Sequence, residues 1–169
     1  MKKSMYIAII ISGLLFLTGC FDSEPQSILK ITLNSFNLEN IKMESVTDSE
    51  NIFRSYLNKY SLIEVNYVRF GDAIKLEFKG DSPDFLFITD SIIDANGKYL
   101  YDELSDMKII YNEESKGKYF WEVDKHFASL RIPEVDADSR IYRGIKIDAF
   151  FGEKKITYVL VIQTDSHDN

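Results

Sequence analysis

From Ile28 onward the chain is a succession of short runs in which apolar and polar residues alternate, each closed by a turn signal. Leu29, Ile31 and Leu33 share one face of the first run. Ile74, Leu76 and Phe78 alternate with Lys75, Glu77 and Lys79 in another, and Tyr119, Trp121 and Val123 oppose Phe120 in a third. A period of two puts successive side chains on opposite faces of a strand. The breaks are Gly71-Asp72, Gly80 to Asp84, Asp94 to Gly97, Gly117 and Gly152 to Lys155, residues that supply turns. About ten short strands at regular spacing describe a sandwich or a barrel.

Within this pattern Leu62–Phe70 and Ala73–Lys79 read as a hairpin around Gly71-Asp72. Phe85–Thr89 is nearly all apolar, as for a strand with both faces covered, and Tyr158–Ile162 reads as a central strand for the same reason. Met107–Tyr111 and Ala128–Ile132 read as strands, and Asn112–Lys118 as a charged turn. One segment departs from period two. Thr47 and Glu50 fit a capping box, and Ile52, Phe53, Tyr56, Leu57 and Tyr60 follow at helical spacing. One short accessory helix is therefore expected near residues 48–60, with its apolar stripe packed inward.

The first twenty residues obey other rules. Lys2 and Lys3 precede an uncharged apolar run from Met5 to Leu17, the pattern of a secretory signal peptide. The run falls short of the roughly 20 residues of a membrane span. It ends in Leu17-Thr18-Gly19-Cys20, which resembles the lipobox of bacterial lipoproteins. The resemblance implies cleavage between Gly19 and Cys20, a diacylglycerol thioether on the Cys20 sulfur and acylation of the new amino terminus. Each buried CH₂ contributes about 0.8 kcal/mol, so two or three chains anchor durably where one does not. In lipoproteins of two-membrane bacteria an Asp directly after the Cys marks inner-membrane retention. Here Phe21 holds that position, so the resemblance favours the outer membrane.

The expected organisation is a signal peptide over 1–19, a lipidated Cys and tether over 20–27, a β-sandwich over 28–163 and a polar tail over 164–169. Processing would leave 150 of the 169 residues, the size of one domain. Losing Lys2 and Lys3 leaves 18 of 20 basic residues against 27 acidic ones, a net charge of −9. Such a surface repels nucleic acid and anionic lipid at long range. Cys20 is the only cysteine. Once lipidated, it leaves a domain without disulfide, thiolate metal ligand or cysteine nucleophile.

Leu130-x-Ile132, Val135, Asp138, Tyr142 and Gly152, followed by an alternating last strand, resemble the E–F–G region of immunoglobulin-like sandwiches. The resemblance implies that Tyr142 is a corner tyrosine tying the E–F corner to the backbone, with Asp138 as its loop partner. It departs from that family at Gly144, where a cysteine would stand, and in the position of the single tryptophan, Trp121. The expectation is the sandwich architecture, without antibody-type function.

Chemistry-bearing motifs are sparse. His126 and His167 are the only histidines, and His126 reads as a strand-end residue. Ser27-x-x-Lys30 and Ser115-x-x-Lys118 lack the companion motifs of serine–lysine acylases. Glu134, Asp136 and Asp138 share a loop whose oxygens suit a hard cation such as Ca²⁺, but the EF-hand spacing is missing; a solvated acidic loop is expected. Tyr99, Tyr101, Tyr119, Phe120 and Trp121 offer a ligand platform or, more in keeping with strands, core. No catalytic residue and no cofactor is expected. The expected function is a non-catalytic binding or envelope-assembly module held at the membrane through Cys20, with a protein partner in the envelope and no nucleic acid. The alternatives are a neutralising lipoprotein whose acidic surface meets a basic target, and a carboxylate-dependent enzyme such as a glycosidase.

Overall fold

A computed structural model describes residues 25–43, 52–102, 105–131 and 140–166. The alternating runs form two antiparallel sheets packed face to face. The strands are β1 (Ser27–Leu33), β2 (Phe36–Leu38), β3 (Ile41–Met43), β4 (Asn66–Tyr67), β5 (Ala73–Gly80), β6 (Phe85–Ile93), β7 (Met107–Lys108), β8 (Asn112–Ser115), β9 (Lys118–Glu122), β10 (Arg140–Phe151) and β11 (Lys154–Asp165), with one helix, α1 (Ile52–Lys59), between β3 and β4. The first sheet has the order β2-β1-β5-β9-β8. The second has the order β3-β11-β10-β6-β7, and β4 runs parallel beside β11 at Ile162 and Gln163. The run β1-β5-β9-β8 against β7-β6-β10-β11 is the strand order A-B-E-D against C′-C-F-G of immunoglobulin-like sandwiches. β2, β3, α1 and β4 are inserted between the first and second strands of that order.

Register fixes which residues face the interior. In the first sheet Leu29, Ile31 and Leu33 pair with Phe78, Leu76 and Ile74, and the latter two with Tyr119 and Trp121. In the second, Ile145, Ile147 and Ala149 of β10 pair with Leu160, Tyr158 and Ile156 of β11. The layers meet where Phe78 packs edge-on against Tyr158 and Phe151, at 6.0 and 6.2 Å between centroids. The Tyr158 hydroxyl crosses to donate to the Ser27 carbonyl at 3.3 Å. These residues form one continuous buried core.

Among the described residues, the outer face of the second sheet is only half covered. Gly144 lies under Phe53 of α1, whose ring atoms are 2.6 Å from where a Cβ on Gly144 would stand. Only a glycine lets the helix approach so closely. Tyr56 of α1 meets the backbone of Val161, and burial first of all pushes its hydroxyl pKa up to about 12. Gly97, at φ +76°, brings the turn after β6 directly against the backbone of Arg54. Thus α1 covers the Gly144–Val161 end of this face. Its capping-box residues Thr47 and Glu50 lie outside the described residues.

Several expected elements differ. The hairpin expected from Leu62–Phe70 and Ala73–Lys79 does not form: Leu62–Glu64 is a 3-10 turn, Ile63 is 96% exposed, and β4 joins β11 while β5 joins β1 and β9. The chain crosses between sheets at Gly71, whose N–H donates to the Val123 carbonyl. Ala128 belongs to a second 3-10 turn, Phe127–Arg131, instead of a strand. The charged turn 112–118 is mostly strand β8, with the reversal confined to Lys116-Gly117. β1 begins at Ser27, and β11 runs two residues past Gln163. Tyr158–Ile162 is central and fully buried, as its composition implies.

Candidate functional site

Two unusual regions lie on opposite faces of β6 and β10. On the inner face Asp90 and Arg143 are buried charges in an otherwise apolar layer, with side chains 0% and 2% exposed. The Arg143 Nε donates to both Asp90 carboxylate oxygens at 3.0 and 3.2 Å, and Nη2 also donates to Asp90 Oδ2. Nη1 donates to the Asp124 carbonyl at 2.7 Å. His126, also buried, accepts the Ala128 N–H on Nδ1 at 3.1 Å. Its Nε2–H therefore donates to the Asp90 carbonyl, 2.9 Å away. This fixes the tautomer and leaves no imidazole lone pair for a substrate proton. A guanidinium whose fork is occupied by Asp90 and a carbonyl is likewise committed. A small cavity of about 190 Å³ beside the pair, lined by Met107, Ile109, Trp121, Asp124 and Arg143 among others, reaches its edge. The cluster is a lock between β6, β10 and the 124–128 loop.

On the outer face, beyond α1, β6 and β10 present rings to solvent. Phe85 and Phe150 are paired in register and stack at 4.3 Å with planes 12° apart. Phe85 is 52% exposed and Phe87 39%. The expectation that Phe85–Thr89 has both faces covered fails here, because α1 stops short of this end. Lysines surround the rings. Lys108 Nζ lies 5.3 Å from the Phe87 ring centroid, and Lys146 and Lys155 lie 3.8 and 3.9 Å from Asp148. Asp148 is the carboxylate within this patch, and it accepts from the Thr157 hydroxyl at 2.6 Å. Contiguous exposed rings rimmed by charge mark interaction surfaces.

The residues singled out from sequence fall elsewhere. Cys20, Gly19, Glu134, Asp136 and Asp138 lie outside the described residues. Tyr142 is third in β10, on the same side of the strand as Gly144 and hence on the outer face. A corner tyrosine shares the inward side with the cysteine two residues later, so the side of the strand is reversed here. Tyr119 and Trp121 are core, and Tyr99 packs edge-on against Phe53 at 5.4 Å. The aromatic platform is thus Phe85, Phe87 and Phe150, which the sequence hid within apolar strands. The available signal was the position of Phe85 and Phe150 near strand ends, with Lys146 and Asp148 at alternate positions of β10 before Phe150.

At the same end of the sandwich, Pro25, Asp81, Asp84, Gly152 and Glu153 border an open cleft of about 510 Å³. Two of its carboxylates brace loops: Asp81 accepts the Gln26 N–H at 3.0 Å, and Asp84 accepts the Gly152 N–H at 2.7 Å. Among the described residues, no group of three His, Cys, Asp or Glu side chains is placed to hold a metal ion. No helix among them is long and apolar enough to cross a membrane. Comparison of the chain with protein-family models, with curated proteins and with solved structures returns no match.

Proposed function

We propose that the chain is a bacterial lipoprotein, anchored through Cys20 to the membrane, with the outer membrane favoured, and that its sandwich is a non-catalytic binding module of the envelope. The observation that carries this is the sequence Leu17-Thr18-Gly19-Cys20 behind a charged start and an apolar run, at the chain's only cysteine. Supporting a binding role is the contrast on β6 and β10. Inward, Asp90, Arg143 and His126 are buried and hydrogen-bonded within the fold, while outward Phe85, Phe87 and Phe150 stand among lysines. The test is Cys20→Ser in cells fed a labelled fatty acid. The parent chain incorporates label and loses residues 1–19, whereas the variant does neither. Label in the variant overturns the proposal.

A further inference from the structure

We infer that the Phe85–Phe150 end of the outer face rests on the phospholipid surface that holds the Cys20 lipid, its rings at the headgroup boundary and Lys108, Lys146 and Lys155 against lipid phosphates. This rests on the anchored reading above and names the partner of the same surface.

Three observations lead here. The first is where the chain enters. Gln26 and Asp81 exchange hydrogen bonds, Ser27 pairs with Gly80, and Pro25 borders the cleft with Asp84 and Gly152. Four residues lie between Cys20 and Pro25, and the five steps reach at most about 18 Å when fully extended. The seven residues of β1 carry the chain roughly 23 Å away from that entry. The opposite end, where the Asn34 amide donates to Asp72, is thus held away from the anchor.

The second is what stands at the entry end. Asp84, immediately before Phe85, donates its N–H to the Phe150 carbonyl at 2.7 Å and accepts from Gly152. The stacked rings therefore sit on a braced corner, close to the anchor. Phe87 continues the strip along β6. Rings with a lysine rim are the composition of a surface that lies in a membrane interface.

The third is charge and size. The patch holds three lysines and one carboxylate on a chain of 27 acidic and 20 basic residues. Its local sign opposes the net sign, which orients the domain with this patch toward phosphate and the acidic remainder away. At the same end Asp81 and Asp84 are turned to backbone N–H groups, and the exposed Glu153 is offset in charge by the adjacent Lys154. These three rings, three lysines and one carboxylate are far fewer than the roughly 20–30 residues a side of a stable protein interface. They suffice for a domain already concentrated at the surface by its acyl chains.

The test uses the lipidated full chain in phosphatidylethanolamine–phosphatidylglycerol vesicles with brominated acyl chains. Phe85→Trp places a reporter in the patch, and Phe36→Trp places one at the far end, where Phe36 is 74% exposed. Trp121, 3% exposed in the core, gives a constant background. Quenching of Phe85→Trp is expected to exceed that of Phe36→Trp at least about threefold. Replacing Lys108, Lys146 and Lys155 by Gln lowers it about twofold or more, with flotation on vesicles unchanged. Equal quenching at the two positions in a chain that floats overturns this inference and leaves the anchor standing. So does photo-crosslinking from position 85 that captures a protein instead of lipid in native membranes. A parent chain that floats no better than Cys20→Ser overturns the anchor and the docking together.

Discussion

β6 and β10 lie side by side from Phe85–Phe150 to Ile93–Tyr142, and along that one ladder the usual placement of residues is inverted twice. Toward the interior the strands carry Asp90 and Arg143, buried and bonded to each other. Toward solvent they carry Phe85, Phe87 and Phe150. Burying a charge is costly unless it is paired and hydrogen-bonded. Exposing a ring forgoes the burial of apolar area. The first inversion is satisfied within the molecule: among the described residues, the pair's polar contacts end on β6, β10 or the loop at 124–128. The second is not satisfied within the described residues. An internal lock and an outward contact surface are thereby distinguished by whether the anomalous groups find partners in their own chain.

The sharpest way to break this comparison is to remove one half of the lock. Arg143→Met leaves the Asp90 carboxylate buried without its guanidinium and frees the Asp124 carbonyl. We expect a loss of about 3–5 kcal/mol, read as a lower midpoint in urea. The double variant Asp90→Leu/Arg143→Met removes both charges and should recover most of that loss, since apolar replacement of a buried pair is often neutral. If single and double variants lose equally, the pair is not a coupled lock.

A smaller effect tests why only half of the outer face is exposed. Gly144→Ala would place its Cβ 2.6 Å from the Phe53 ring. The ring has to shift, because real carbons do not approach so closely, and the cost of such overpacking is about 1–3 kcal/mol. Hydrogen exchange should show faster opening of α1 than of β10. Equal opening of both would mean that α1 is not a separate cover.

The sequence made the sheets legible because β1, β5 and β9 each have one face in solvent, so period two survives in their residues. It obscured β6 and β10 for a physical reason. The inner face is core and the α1 end of the outer face is covered, so both sides of Ile141–Ala149 are buried and alternation disappears. Arg143 then looks like any surface cation between Tyr142 and Gly144. Its partner Asp90 lies 53 residues away in a strand that reads as apolar. The same loss of alternation reversed the apparent side of Tyr142. It also hid Phe85 and Phe87, since an apolar run does not record where a covering helix ends. Their lysine neighbours Lys108 and Lys155 come from β7 and β11, gathered only by strand order.

Alkaline titration sharpens the inner half of the comparison. Burial pushes the Tyr158 and Tyr56 hydroxyls from the ordinary 10.0 up to about 12. A group whose folded pKa is raised favours its protonated form in the folded state. The stability it contributes is full below pH 10 and is lost as pH rises from 10 toward 12. Tyr158→Phe removes the bond to the Ser27 carbonyl, costing about 0.5–1.5 kcal/mol at neutral pH. It should also flatten the decline in urea midpoint between pH 10 and 12. An unchanged slope would mean that Tyr158 ionises as readily folded as unfolded.

The smallest effect on stability is expected from the most conspicuous side chains. Phe85→Ser/Phe150→Ser deletes a stacked pair with one ring 52% exposed. Such a pair contributes about 0.5–1.5 kcal/mol beyond area burial, and solvent already holds much of that area. We expect the urea midpoint to fall by the equivalent of about 1 kcal/mol or less. Truncating two core phenylalanines would cost about 3–5 kcal/mol each. A loss of that size would show that the rings serve the fold, and the outer face would cease to be a contact surface. A small loss, together with reduced lipid protection of the 84–87 and 150–152 amides on vesicles, would separate the two faces of β6 and β10 by experiment. The inner face would answer to denaturant and the outer face to the membrane.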